Sequence, residues 1–264
     1  MIIPDLAVRE VAKSSIVHAN RLIFVSKALQ KLFEKYDCFG VSEYIYNGID
    51  CKKVDRYLEL DKNILISELG IPKGKKIITV IGTITERKGQ IDFVDAALSL
   101  LKVRDDVFFL IIGDIQRDAD SRNYHTRIVQ RIGSEDRIRI VHNPPDVYVY
   151  FRVSDIFVCT SYIESFGLVV QEAMAFRLPI ITTSVFGLSE QIEHGVTGLT
   201  YTPGDTKSLI THLIKFLSDQ EYARFLGNTA GSYVRTVFRE EEMTGKFYTI
   251  VKTVAMEDIN ASIQ

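Results

Sequence analysis

Two carboxylates, Glu164 and Glu172, bracket an otherwise apolar run in SYIESFGLVVQEAMA (161–175), and two cations, Arg87 and Lys88, stand together in IGTITERKGQ (81–90). A carboxylate accepts two hydrogen bonds, which suits the vicinal hydroxyls of a sugar. An adjacent Arg and Lys beside a helix start suit a diphosphate. Glu164 falls in a loop, and a helix begins near Gly167 or Leu168. The first amides of such a helix, here Phe166 to Val169, have no intrahelical partner, and with the positive end of the helix dipole they form an anion site. Gly167 lets the backbone approach a phosphate without a Cβ in the way. The outline is that of a nucleotide-sugar: one acid on a sugar, phosphate at the helix start, the other acid on a second sugar. A plainer account uses the same spacing. It makes Glu172 an exposed helix residue, Glu164 a favourable charge near a helix N-terminus, and Arg87–Lys88 a solvated turn.

These residues need elements to hold them. Near-continuous apolar runs at 76–82, 107–113, 137–141, 155–160, 179–183 and 198–202 read as strands. Segments of helical period lie between and after them, at 91–103, 121–132, 167–177, 187–194, 205–218, 220–236 and 239–255. In 91–103, Ile91, Val94, Leu98 and Leu101 share one face. Strand and helix alternating at this spacing mean an α/β fold, a Rossmann-like doubly wound parallel sheet covered on both faces. Ligands of such sheets sit at the C-terminal strand ends. Both motifs fall there, after 76–82 and after 155–160. The first ~45 residues differ. ANRLIFVSKALQKLFEKY reads as a strand and an amphipathic helix, and SEYIYNGID (42–50) as a short strand ending in an Asn-Gly turn. These pieces are too few for a second core and look like the end of another unit, or an extension packed on the main sheet.

Bulk properties narrow the classes. The 264 residues are 46% hydrophobic and 25% charged with net charge −2, an ordinary globular composition that gives no electrostatic grip on nucleic acid. No apolar run approaches the ~18–20 residues of a membrane span, and MIIPDLAVRE lacks the features of a signal peptide. Cys38, Cys51 and Cys159 form no CxxC, which disfavours disulfide frameworks and zinc sites. A reduced, cytoplasmic protein is the simplest reading. His18, His125, His142, His194 and His212 lack metal-ligand spacing. His142 follows a strand at the ligand edge, so the loop 142–147 is positioned to frame a base. RDAD (117–120) contains a DxD but reads as a solvated loop, and REEEM (239–243) as an acidic helix start. GKS, GKT, GxGxxG and G-x-S-x-G are all absent, which disfavours P-loop, dinucleotide and serine-hydrolase sites.

ESFGLVVQE resembles the E-x7-E signature of retaining glycosyltransferases of the GT-B fold, family 4, also called glycosyl transferases group 1. The resemblance extends in order through GTITERKGQIDFVDAALSLL, FFLIIGD and SDIFVCTSYIESFGLVVQEAMAFRLPIITTSVFGLSEQIEHGVTGLTYTPGD, and covers the C-terminal, donor-binding domain over roughly 76–250. ANRLIFVS and YIYNGID fit the end of the family's other domain and the hinge. The resemblance implies residues 1–45 as a remnant of an N-terminal acceptor domain and hinge. It implies 46–236 as the donor nucleotide-sugar domain and 237–264 as a crossover helix and tail. It implies that Arg87 and Lys88 bind the donor diphosphate, Glu164 the transferred sugar and Glu172 the ribose. Glu164, Arg87 and Lys88 are the implied catalytic groups. Backbone at Gly82, Thr83, Ser165, Phe166, Gly167 and Leu168 completes the donor site. Transfer with retention, no cofactor and no metal are implied as well. So is a glycan or lipid-linked acceptor held by the other domain, the latter bringing the protein peripherally to a membrane.

The sequence departs from the family in three ways. Thr83 stands where relatives place an Arg, so Arg87 is expected to supply that cation from the other end of the loop. Arg177 stands where relatives place Gly. The acceptor half is expected to be missing, so this chain is not expected to transfer sugar alone. The helix at 239–255 is then expected to turn Met243, Phe247, Ile250, Val251 and Val254 towards residues 1–45 or a second chain. Two alternatives stay open: a non-catalytic nucleotide-sugar-binding subunit that needs a partner chain with the acceptor domain, and a nucleotide-sugar epimerase of the same fold.

Overall fold

The structure is a computed structural model that describes residues 19, 21–34 and 41–263. Expectations for His18 and Cys38 lie outside these residues. The main sheet has six parallel strands: β3 (Lys76–Ile81), β4 (Val107–Ile112), β5 (Ile138–Val141), β6 (Ile156–Cys159), β7 (Ile180–Thr183) and β8 (Leu199–Tyr201). Their order is β5-β4-β3-β6-β7-β8. The chain winds outwards from β3 in one direction and from β6 in the other. The C-terminal ends of β3 and β6 therefore form the crevice of the fold. Each strand predicted for this sheet is found to within two residues, because burial on both faces leaves continuous apolar runs.

Side chains alternate between two cores. Phe108, Leu110 and Ile112 of β4 face one side with Phe151, Phe157 and Met174. Phe109 and Ile111 face the other with Phe93, Leu100 and Leu213. The first face is covered by α2 (Cys51–Leu58), α3 (Lys62–Glu68), α6 (Tyr148–Val153) and α7 (Leu168–Ala175). The second is covered by α4 (Gln90–Leu101), α5 (Ala119–Ile132) and α8 (Thr206–Ser218). Helix α9 (Gln220–Val237) spans both, burying Leu226 in one core and Ala230 and Val234 in the other.

Four local expectations are corrected. Helices α2 and α3 begin at the caps Asp50 and Asp61, whose carboxylates accept amide hydrogen bonds, so 45–50 is a hinge into a helix rather than a strand. Helix α6 is a further element, set between Val147 and Ser154. The stretch 187–194 is only a 3-10 segment, Phe186–Glu190. Gln191 ends it by turning inwards to donate to the Phe166 carbonyl. In 137–141, pairing with β4 starts at Ile138.

Near the N-terminus, β1 (Arg21–Phe24), α1 (Lys27–Phe33) and β2 (Val41–Tyr44) form a parallel β-α-β unit outside the main sheet. One acid holds it down. Glu190 accepts from the Lys27 and Ala28 amides at 3.1 and 2.7 Å, at the start of α1, and from the Tyr46 hydroxyl at 2.8 Å. Buried Ser26 caps α1 and donates to the Ser165 carbonyl at 2.8 Å. Helix α10 (Glu240–Ile263) leans on this region, with Arg21 paired to Glu257 at 2.9 Å and the Gly48 amide donating to Met243 Sδ at 3.2 Å. Burial divides the five residues expected to turn inwards: Met243, Ile250 and Val254 are half-buried, and Phe247 and Val251 are exposed.

Glu190→Ala should free the β-α-β unit while leaving the main sheet intact, because three hydrogen bonds to one carboxylate disappear, each worth about 1.5–3 kcal/mol. Hydrogen exchange should accelerate at the amides of α1 and remain slow in β3 and β4. Unchanged protection of α1 would contradict this anchoring role.

Candidate functional site

Beyond β3, Gly82 to Thr85 arch over the strand end. Ile84 plunges back into the core, fully buried, with its amide donating to the Asp114 carbonyl at 2.8 Å. Buried Gln90 steadies the arch from below, donating to the Thr83 carbonyl at 2.9 Å. One 3-10 turn, Glu86–Lys88, follows and ends at Gly89. Gly89 has φ 66°, and a Cβ there would lie 2.2 Å from the Thr160 carbonyl oxygen. No other residue combines that dihedral with that approach.

The turn is joined to the loop after β6. The Thr160 hydroxyl donates to the Lys88 carbonyl at 2.7 Å, and the Tyr162 amide donates to the Arg87 carbonyl at 2.8 Å. The two motifs are therefore one structure. The stem of Lys88 lies over Gly82, and its ammonium is paired with Glu164. Both side chains are largely buried, with 13% and 9% of their surface exposed, so this is a desolvated ion pair rather than a surface one. Arg87 is exposed and forms no ion pair among the described residues. Its side chain is the cation left available at this edge.

Gly167 has φ 89° and starts α7, and a Cβ there would meet Leu188 at 2.7 Å and Glu164 Cγ at 3.1 Å. The glycine is thus required by the turn and by close packing behind Glu164, in addition to any open approach for a ligand. Phe166 belongs to the core, stacked on Tyr46 with ring centroids 5.2 Å apart. Ser165 is exposed, its carbonyl held by Ser26, and Leu168 is exposed at the mouth of the helix.

Glu172 is half-buried, not exposed. Its carboxylate interacts with the Tyr148 hydroxyl and the Lys53 charge. Burial raises its pKa, against smaller opposing effects of the Tyr148 hydrogen bond and the Lys53 charge. Lys53 also lies over the Tyr148 ring, 4.3 Å from its centroid. The structure thus brings Gly82, Lys88, Glu164 and Gly167 into one cluster and sets Glu172 one helix turn away, facing α2 and α6.

A buried carboxylate missed in the sequence braces the whole edge. Asp92, in the first turn of α4, accepts from the Tyr162 hydroxyl at 2.8 Å and the Gly204 amide at 3.1 Å. Burial raises its pKa, against both hydrogen bonds. An acid in the first turn of a helix beside RKG was the available sign. At the end of β5, exposed His142 sits 3.1 Å from the Gly113 carbonyl and packs edge-on against His125, 5.0 Å between ring centroids. Burial lowers the pKa of His125. The DxD residue Asp118 caps α5, accepting from the Ser121 amide at 2.7 Å and its hydroxyl at 2.8 Å.

The glycosyl transferases group 1 family model matches residues 61–232, which contain Gly82, Arg87, Lys88, Glu164, Gly167 and Glu172 but not Lys53. The chain belongs to that family. It is 33% identical over 221 residues to the N-acetyl-alpha-D-glucosaminyl L-malate synthase of Bacillus anthracis, covering 83% of this chain and 55% of that enzyme. Across three curated relatives the chain spans 54–60% of their length. The C-terminal domain of the group 1 glycosyltransferase LpcC from Francisella tularensis superposes with TM-score 0.64 at 26% identity, over 73% of this chain and 99% of that one. HepE of Anabaena, crystallised with UDP and glucose, shares the GT-B fold, with TM-score 0.82 at 22% identity over 92% of this chain and 66% of its own. In this group 1 chain, no described helix is long and apolar enough to cross a membrane.

Because its pKa is raised, Glu172 takes up its proton at higher pH in the folded chain than in the unfolded one. Its burial weighs least on folding below the ordinary Glu range and opposes folding more as pH rises through the folded-state value. The stability of the natural chain relative to Glu172→Gln should therefore be greatest in acid and fall towards neutrality. Urea unfolding of both proteins between about pH 4 and pH 8 measures this. A difference that is flat with pH would contradict it.

Proposed function

We propose that this chain carries the donor site of a retaining glycosyltransferase that takes its sugar from a nucleoside diphosphate. The observation that carries the proposal is the Lys88–Glu164 ion pair held at the crevice by the joint between the two loops. A cation and a sugar-binding acid neutralise each other when no donor is present. A diphosphate arriving beside Arg87 would compete for Lys88 and release Glu164 to accept from the hydroxyls of the transferred sugar. Arg87, Lys88 and the start of α7 would then stabilise the negative charge that grows on the leaving diphosphate. Gly82, Thr83 and the backbone of Ser165 to Leu168 would line the phosphates and the sugar. Glu172, oriented by Tyr148 and Lys53, would hold the ribose. The fold shared with HepE, a protein crystallised with UDP and glucose, supports a nucleotide at this edge.

The proposal includes the division into 1–45, 46–236 and 237–264. It also includes an acceptor, a glycan or lipid-linked sugar, bound by a second GT-B half facing the crevice. No metal or other cofactor has a role in it.

Calorimetric titration of the chain with UDP, GDP and ADP tests the donor site. One nucleotide should bind saturably. Arg87→Ala, which removes an exposed side chain, should weaken it roughly 10- to 100-fold, as should Glu172→Ala. Failure of all three nucleotides to bind, or binding indifferent to both substitutions, would overturn the assignment.

A further inference from the structure

At the opposite, N-terminal edge of the main sheet lies a cavity of about 230 Å³. Lys76 at the start of β3, Arg177 after α7 and Arg224 on α9 line it, over a floor that includes Phe216 and Leu217. The acid among its lining residues is Asp155. That carboxylate is already engaged, accepting from Lys62 Nζ at 2.9 Å and from the Ile77 amide at 2.8 Å. Lys76 reaches only the neutral Gln220 amide, at 3.4 Å. Among the described residues, Lys76, Arg177 and Arg224 form no ion pair. The cavity therefore holds three cations with no acid committed to them.

Arg177 is also placed at a backbone cost. Its φ is 57°, in the left-handed region, where a side chain crowds the following carbonyl. It closes α7, its amide donating to the Met174 carbonyl at 2.8 Å, and at such a position glycine is the unstrained choice. Its stem rests on Gly231 of α9, where a Cβ would come within 2.6 Å of Arg177 Cγ. One turn earlier, Gly227 admits the Arg177 carbonyl, 2.3 Å from where its Cβ would be. A strained, non-glycine residue whose stem is seated against a glycine is an outlier that points to use. The use fits the chemistry of the cavity: a guanidinium fork and two further cations around a concave opening oppose the charge of a phosphate, and a guanidinium can meet its oxygens two at a time.

We propose that this cavity binds a small phosphate dianion, free phosphate or the phosphate of a monoester whose carbon body lies on the Phe216–Leu217 floor. The length of β3, six residues or about 20 Å, separates it from the crevice, so both sites can be filled at once.

Inorganic phosphate is the probe, titrated calorimetrically into the intact chain and three variants. Binding should be saturable. It should weaken at least ~10-fold in Lys76→Gln/Arg224→Gln and in Arg177→Gly, and stay unchanged in Arg87→Ala. Arg177→Gly should also melt no lower than the natural chain without phosphate, since it relieves the left-handed strain, so lost binding there is not lost folding. The proposal is overturned by absence of saturable binding, by binding lost only in Arg87→Ala, or by association with phosphatidate vesicles without any response to free phosphate.

Discussion

The joint between the Arg87–Gly89 turn and the loop after β6 is the constraint on which the ligand edge depends. Two carbonyls of the turn are held by Thr160 and Tyr162, and Gly89 brings the backbones close enough for this to happen. Without the joint, Lys88 and Glu164 would belong to separate mobile loops. With it, they meet in a desolvated pair 76 residues apart in sequence. Removing one partner of such a pair costs about 3–5 kcal/mol, because the other charge is left buried. Asp92 extends the same logic outwards by tying α4 to the Tyr162 loop and to the turn at Gly204.

This arrangement divides the labour among the charged groups. Lys88 and Glu164 are satisfied by each other, Arg87 is exposed, and Glu172 is half-buried beside a hydroxyl and an ammonium. A ligand that brings its own negative charge can replace Glu164 at Lys88 and keep the ammonium compensated, whereas a neutral ligand cannot. The displaced carboxylate then needs hydrogen-bond donors of its own, which under the proposed function are the hydroxyls of the sugar.

Much of this was legible in the sequence, for physical reasons. Strands buried on both faces must be apolar throughout, so β3 to β8 announced themselves, and the loops at their C-terminal ends carried the charged motifs. Helices α2, α3 and α6 were not legible in the same way. They are short, two of them are mainly polar, and their clearest marks were the caps Asp50 and Asp61. The direction of Glu172 was hidden because spacing along α7 does not say which face meets α2 and α6. The Lys88–Glu164 pair was hidden because it depends on which strand lies beside β3. The arginine at 177 was visible as an oddity, and only its φ and the two glycines facing it gave it a physical setting.

The claim that the loop joint makes the donor site is tested most directly by Thr160→Val, which removes the hydroxyl that holds the Lys88 carbonyl and keeps the shape of the side chain. Nucleotide affinity and urea stability would be measured on the same sample. Loss of one hydrogen bond and an unsatisfied carbonyl should lower stability by about 1–3 kcal/mol and leave a folded protein, while nucleotide affinity falls at least ~10-fold. Full affinity in a folded, destabilised variant would contradict the account, since the joint would then be structural support without a part in binding.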